Sequence, residues 1–158
     1  MKKVKFIILL SLLFTGLATF RASAQTSSKP AAMPGLNDPW TESQLLEPSL
    51  LADHIRSGDA KSTIILNIGA VEDIKSAKHI GAVSNAENLE KLKSAVSGLP
   101  KNTDLVIYCG CCPFVKCPNI RPAFTELKKL GFTNVKLLNL TTNLKTDWIA
   151  KGYPLADK

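Results

Sequence analysis

The chain has 158 residues, of which 45% are hydrophobic and 21% charged, and it carries a formal net charge of +7. This length is that of one domain and suffices to bury a core without disulfide bonds. Four of the positive charges lie within the first 24 residues, and without them the charge of +3 gives no support to nucleic-acid binding.

The first 24 residues are typical of a secretory signal peptide. Three lysines precede an apolar stretch over residues 6–20, and the small residues Ala22 and Ala24 suit cleavage before Gln25. The apolar stretch is shorter than the roughly 20 residues of a membrane-spanning helix. We therefore expect an exported chain, periplasmic or secreted, with no membrane contact after cleavage, a flexible linker over residues 25–40 and one folded domain over residues 41–158.

Helices and strands alternate along that domain. The pattern of apolar residues, prolines and glycines predicts the following elements in chain order: a helix that begins at Glu47-Pro48 and ends just before Gly58, a strand over Ile64–Ile68, a weak strand near Ala82-Val83, a helix marked by Leu89, Leu92, Val96 and Leu99 and closed by Pro100, a strand over Leu105–Tyr108, a helix from Ile120 that ends at Gly131, a strand over Val135–Leu138 and a short helix over Asp147–Lys151. Such alternation implies a three-layer α/β fold with a mainly parallel sheet of about five strands, covered by helices on both faces.

All of the cysteines follow the strand over residues 105–108. They are Cys109, Cys111, Cys112 and Cys117. Sites in parallel sheets form at the carboxyl ends of strands, where backbone N–H groups and a helix N-terminus stabilise an anion. With Lys116 and Arg121 also close in sequence, we expect Cys109 to have a lowered pKa and to act as a nucleophile.

Several segments resemble the rhodanese-like family, over most of the chain from about Gln44 to Leu155. His79-Ile80-Gly81-Ala82 is similar to the family's Gly-His-Ile-Pro-Gly-Ala, and Tyr108-Cys109 resembles the opening of its active-site loop. The segment from Leu130 to Val135, followed by Trp148 and Gly152-Tyr153-Pro154, resembles its C-terminal signature. The resemblance implies an enzyme in which Cys109 takes sulfane sulfur from a small donor, such as thiosulfate or a persulfide, carries it as a persulfide and passes it to a thiol acceptor or a partner protein, with no cofactor.

The chain departs from the family pattern at the predicted site. Asn67 and Gly69 stand where the family often has Asp and Arg, and the segment after Cys109 is longer than the usual active-site loop. Cys111, Cys112 and Cys117 are candidates for thiols that resolve the persulfide or for partners in a loop disulfide. Arg121, expected in the first turn of the following helix, either lines the pocket or faces solvent.

The same cysteines leave two other functions open. Cys109 and Cys112 form a C-x-x-C motif, which is typical of a thiol–disulfide oxidoreductase. The four thiolates together could instead bind zinc or copper as a metal site. A Cys-x5-Arg phosphatase is excluded, because Val115, Cys117 and Pro118 occupy the positions where that motif requires arginine.

Overall fold

The computed structural model describes residues 38–113 and 116–157. The predicted signal peptide over residues 1–24 lies outside the described residues, as does the linker from 25 to 37. Within the described ranges, no helix has the length and apolar character needed to cross a membrane. Trp40 already belongs to the buried core.

The described chain forms a five-stranded parallel sheet flanked by helices. The elements are β1 (Leu45–Leu46), α1 (Pro48–Ser57), β2 (Ile64–Asn67), β3 (Ala77–His79), α2 (Ala86–Val96), β4 (Leu105–Tyr108), α3 (Ile120–Lys129), β5 (Val135–Leu138) and α4 (Leu144–Asp147). The strand order is β1-β5-β4-β2-β3, so β4 is the central strand. All residues of β4 are buried, as expected for a strand covered on both faces.

Two hydrophobic clusters occupy the two faces of the sheet. On one face, α2 and α3 contribute Leu92 and Phe124 to a cluster that includes Ile107 of β4. On the other face, α1 and α4 contribute Leu51 and Leu144. The predicted three-layer α/β fold with a five-stranded parallel sheet is therefore confirmed.

The predicted weak strand is displaced from its expected position near Ala82-Val83. The strand beside β2 is β3, whose last residue, His79, pairs with Asn67. The next N–H groups, those of Ile80 and Gly81, both donate to the Asn67 carbonyl, and Gly81 has a φ of 90°. The chain therefore leaves the sheet before Ala82 and enters a turn.

The closing helix also begins earlier than the predicted Asp147. The side chain of Asn143 accepts a hydrogen bond from the N–H of Thr146 at 2.8 Å, which caps α4 and begins the helix at Leu144. A 3₁₀ turn over Ile149–Lys151 follows. The short edge strand β1 was not predicted, because two residues are too few to show a period.

Candidate functional site

Cys109 lies directly after the central strand, at the carboxyl edge of the sheet, and is buried. The N–H of Ile68 donates to the carbonyl of Tyr108 at 2.9 Å, which continues the pairing of β2 with β4 to the last residue before the cysteine. The Tyr108 hydroxyl accepts from the N–H of Ile74 at 2.9 Å and donates to the Glu72 carbonyl at 3.2 Å. The backbone that carries Cys109 is thus fixed from both sides.

Gly69 packs against Cys109 more closely than any side chain would allow. A Cβ atom at position 69 would lie 2.2 Å from the Cys109 carbonyl oxygen and 2.9 Å from its Sγ. The buried side chain of Asn67 holds this loop, because its Oδ1 accepts from the Gly69 N–H at 3.0 Å while its Nδ2 donates to Val71 and Asp73 at 2.8 Å each. Asn67 and Gly69 therefore form one wall of the site.

Gly110 turns the chain immediately after Cys109. Its φ is 74°, in the left-handed region that favours glycine, and a Cβ atom there would lie 2.8 Å from Cβ of Leu144. The Gly110 carbonyl accepts the N–H of Leu144 at 2.9 Å. This turn brings Cys111 back beside Cys109.

Asn119, the residue before α3, contributes a side-chain amide to the site. Its Nδ2 donates to the Sγ of Cys109 at 3.1 Å, and its Oδ1 accepts from the N–H of Ser84 at 2.8 Å. The residue is 97% buried, since only 3% of it is exposed. Because the Ser84 N–H fixes the amide oxygen, the nitrogen is held as a donor toward the sulfur.

The structure brings the predicted cysteines together. The Sγ atoms of Cys109, Cys111 and Cys117 all lie within 4.8 Å of one another. The Sγ of Cys109 is 3.2 Å from that of Cys111, which is 3.5 Å from that of Cys112. All four are free thiols, since a disulfide requires about 2.05 Å between sulfurs.

The cysteine cluster concentrates negative charge on Cys109. A hydrogen bond from the Cys117 thiol lowers the pKa of Cys109 to about 5 in spite of burial, with further hydrogen bonds from Asn119 and from the N–H and thiol of Cys111. Desolvation of its sulfur, and then the hydrogen bonds with Cys109 and Cys112, raise the pKa of Cys111 to about 12, although the residue as a whole is exposed. The hydrogen bond to Cys109, together with burial, also raises the pKa of Cys117. One thiolate thus accepts hydrogen bonds from neutral neighbours.

The basic residues near the loop do not account for this low pKa. Lys116 is exposed, and the guanidinium of Arg121, in the first turn of α3, pairs with Asp38 and lies 5.3 Å from the centre of the Trp40 ring. The groups that lower the pKa are thiols, a backbone N–H and the Asn119 amide. Sequence reasoning missed Asn119, although its place just before an apolar-periodic segment marks it as a helix-start residue.

His79, Trp40 and Trp148 are held by contacts with neighbouring side chains. The Nδ1 of His79 is 3.0 Å from a carboxylate oxygen of Asp73, at the edge of the sheet. Trp148 is buried and packs edge-to-face with Tyr153, as Trp40 does with Phe124.

Comparison with protein-family models gives no match, and none of the curated proteins matches the chain either.

Proposed function

We propose that this chain is an exported sulfurtransferase of rhodanese-like type, in which Cys109 carries sulfane sulfur as a persulfide. One observation carries the proposal: hydrogen-bond donors from Cys117, Asn119 and Cys111 converge on one buried sulfur at the carboxyl end of the central strand. Donors arranged in this way stabilise a thiolate, which is the form that attacks sulfur. The motif resemblance and the all-parallel sheet support the same conclusion.

The loading step needs no further group. The thiolate of Cys109 attacks the outer sulfur of a donor such as thiosulfate, a bond forms between the two sulfurs, and the donor's own S–S bond breaks with its electron pair leaving on sulfite. Attack by an acceptor thiolate on the outer sulfur then regenerates the Cys109 thiolate. The hydrogen-bond donors around the Cys109 Sγ stabilise this thiolate before loading and again when it is the leaving group.

The oxidoreductase alternative has less support from the geometry. It requires Cys109 and Cys112 to form the exchanging pair of a C-x-x-C motif. The sulfur found 3.2 Å from Cys109 is that of Cys111, and Cys112 contacts Cys111 in turn. The arrangement is that of a C-x-C pair, with Gly110 at the turn.

The test is intact-mass analysis after treatment with thiosulfate. We expect a gain of about 32 Da, one sulfur atom, located on Cys109 by peptide mapping and released as thiocyanate by cyanide. Cys109→Ser should lose the gain, whereas Cys112→Ser should still be loaded. Sulfur accumulating on Cys109→Ser at the parental rate would disprove the assignment, and aryl phosphates should remain intact throughout.

A second candidate, metal binding, is favoured by the three clustered thiols. Cys109, Cys111 and Cys117 each offer one sulfur, and ligand sulfurs about 2.3 Å from a zinc ion would lie about 3.8 Å apart, which fits a cluster within 4.8 Å. Soft thiolates also select Cu(I). Metal analysis of the protein as isolated separates the two functions, because stoichiometric zinc or copper that blocks loading with sulfur would favour the metal site.

A further inference from the structure

The clustered sulfurs differ in their access to solvent. Cys109 and Cys117 are buried, at 2% exposure each, whereas Cys111 is exposed. The Sγ atoms of Cys109 and Cys111 are nevertheless only 3.2 Å apart. A small donor or acceptor needs little room at a buried sulfur, but a thiol carried on a folded protein cannot bring its own sulfur into contact with Cys109 in this conformation.

We propose that Cys111 is a relay thiol: it takes the sulfane sulfur from the Cys109 persulfide and presents it at the surface to a thiol on a partner protein. This inference rests on the proposed sulfurtransferase function and names its acceptor class. The expected partner is a protein with an accessible cysteine. Cyanide and small thiols, in contrast, can discharge Cys109 directly.

The transfer between the two cysteines is balanced without any other reactant. The sulfur of Cys111 attacks the outer sulfur of the Cys109 persulfide; a bond forms between these two sulfurs, and the bond from the outer sulfur to Cys109 breaks. Its electron pair stays on Cys109 as a thiolate, and the Cys111 thiol proton moves to the outer sulfur. The number of sulfane sulfurs is unchanged, so no oxidant or reductant is consumed.

Two features of the site favour this direction of transfer. The Nδ2 of Asn119, at 3.1 Å, and the Cys117 thiol remain in place to stabilise the thiolate that leaves. The turn at Gly110 keeps the attacking sulfur of Cys111 beside the leaving sulfur of Cys109, so the two groups need not diffuse together. Because both cysteines lie on one loop, the transfer is intramolecular, which accelerates it greatly over its bimolecular counterpart.

A competing step starts from the same contact. If Cys111 attacked the inner sulfur instead, a Cys109–Cys111 disulfide would form and hydrogen sulfide would leave, carrying the two electrons that the thiols lose. The enzyme would then stop after one turnover until a dithiol reduced it. This outcome differs from the relay in both products and mass, and so it can be measured directly.

The experiment compares two acceptors on protein loaded with thiosulfate. Cyanide is the small acceptor, and a folded protein with a single exposed cysteine is the bulky one. For Cys111→Ser, which keeps a hydroxyl donor beside Cys109, we expect loading of Cys109 but a ratio of protein-thiol rate to cyanide rate that falls by about 100-fold. Lys145→Gln, an exposed substitution on α4, should keep the parental ratio.

The outcomes separate the relay from the proposed function. Loading of the parent and of Cys111→Ser, with an unchanged ratio of acceptor rates, would overturn the relay and leave sulfur transfer intact. Release of hydrogen sulfide with a Cys109–Cys111 disulfide would also overturn it. A parent that takes up no sulfur from thiosulfate or from a small persulfide would overturn both, while sulfur mapped to Cys111 in the parent after brief loading supports the relay.

Discussion

Removal of the Asn119 amide should make Cys109 a weaker acid. The perturbation is Asn119→Leu, which has a similar volume but no hydrogen-bond donor, and it deletes the 3.1 Å bond from Nδ2 to the Cys109 sulfur. A hydrogen bond to a charged group contributes about 1.5–3 kcal/mol. Since one pH unit corresponds to about 1.4 kcal/mol, the pKa of Cys109 should rise by about one to two pH units.

The direction of the pH dependence follows from the lowered pKa of the parent. With a pKa of about 5, Cys109 remains a thiolate from alkaline pH down to about that value and is protonated only below it. In Asn119→Leu, protonation of the Cys109 thiolate should begin at a pH that is about one to two units higher. Mildly acidic buffer should therefore separate a reactive parent from a largely unreactive variant.

The assay is the rate of alkylation of Cys109 by iodoacetamide as a function of pH, with the modified residue located by peptide mapping. Asn139→Ala is the matched control, because that asparagine donates to the Glu47 carboxylate at 2.9 Å at the surface. Its pH profile should coincide with that of the parent. Coincident profiles for Asn119→Leu and the parent would refute the argument that this hydrogen bond stabilises the thiolate.

Three further substitutions, with Gly98→Ala as a control, test how the structure around Cys109 is built. Gly69→Ala should lower the free energy of unfolding by about 1–3 kcal/mol through overpacking, whereas Gly98→Ala, with nothing within 4 Å of the added Cβ, should be neutral or stabilising; urea unfolding measures both. Tyr108→Phe should cost about 1–3 kcal/mol in the same assay, because a buried backbone N–H loses its acceptor. Asn67→Asp places a second carboxylate beside Asp73, so the pKa of the new carboxyl group should rise in the folded state. The variant should be less stable than the parent at neutral pH and should recover as the pH falls toward about 4, which urea unfolding across pH would show.

The fold could be predicted largely because its elements have clear periods. The helix α3 carries buried apolar residues at Ile120, Ala123, Phe124 and Leu127, and β4 is a continuous apolar run between turn signals. The strand β3 could not be placed, because it lies at the sheet edge and Lys78 and His79 are exposed. An edge strand with polar residues has little apolar pattern, and its position depends on its pairing with β2.

The cysteine cluster could be predicted from the sequence, whereas the Asn119 amide that contacts it could not. The end of a buried parallel strand is a general location for chemistry, and the position of Cys109 at that edge of the sheet could be predicted from the sequence. Two of the groups that lower its pKa, Cys117 and Asn119, are eight and ten residues away in a segment of the sequence without periodicity. The same limit applies to Arg121, whose partner Asp38 is 83 residues away.

The wall beside Cys109 contains both Asn67 and Gly69, the positions at which the chain differs from the motif that it resembles. In the resembling family position 69 often carries arginine, but here a Cβ at that position would lie 2.2 Å from the Cys109 carbonyl oxygen. An arginine and this close approach therefore cannot coexist on the same backbone. Glycine at 69 lets the loop held by Asn67 pack against Cys109, and the hydrogen bonds to the thiolate come from Cys117, Asn119 and Cys111. Within the described residues, the groups that hydrogen-bond to the Cys109 sulfur are therefore neutral donors rather than a cationic side chain.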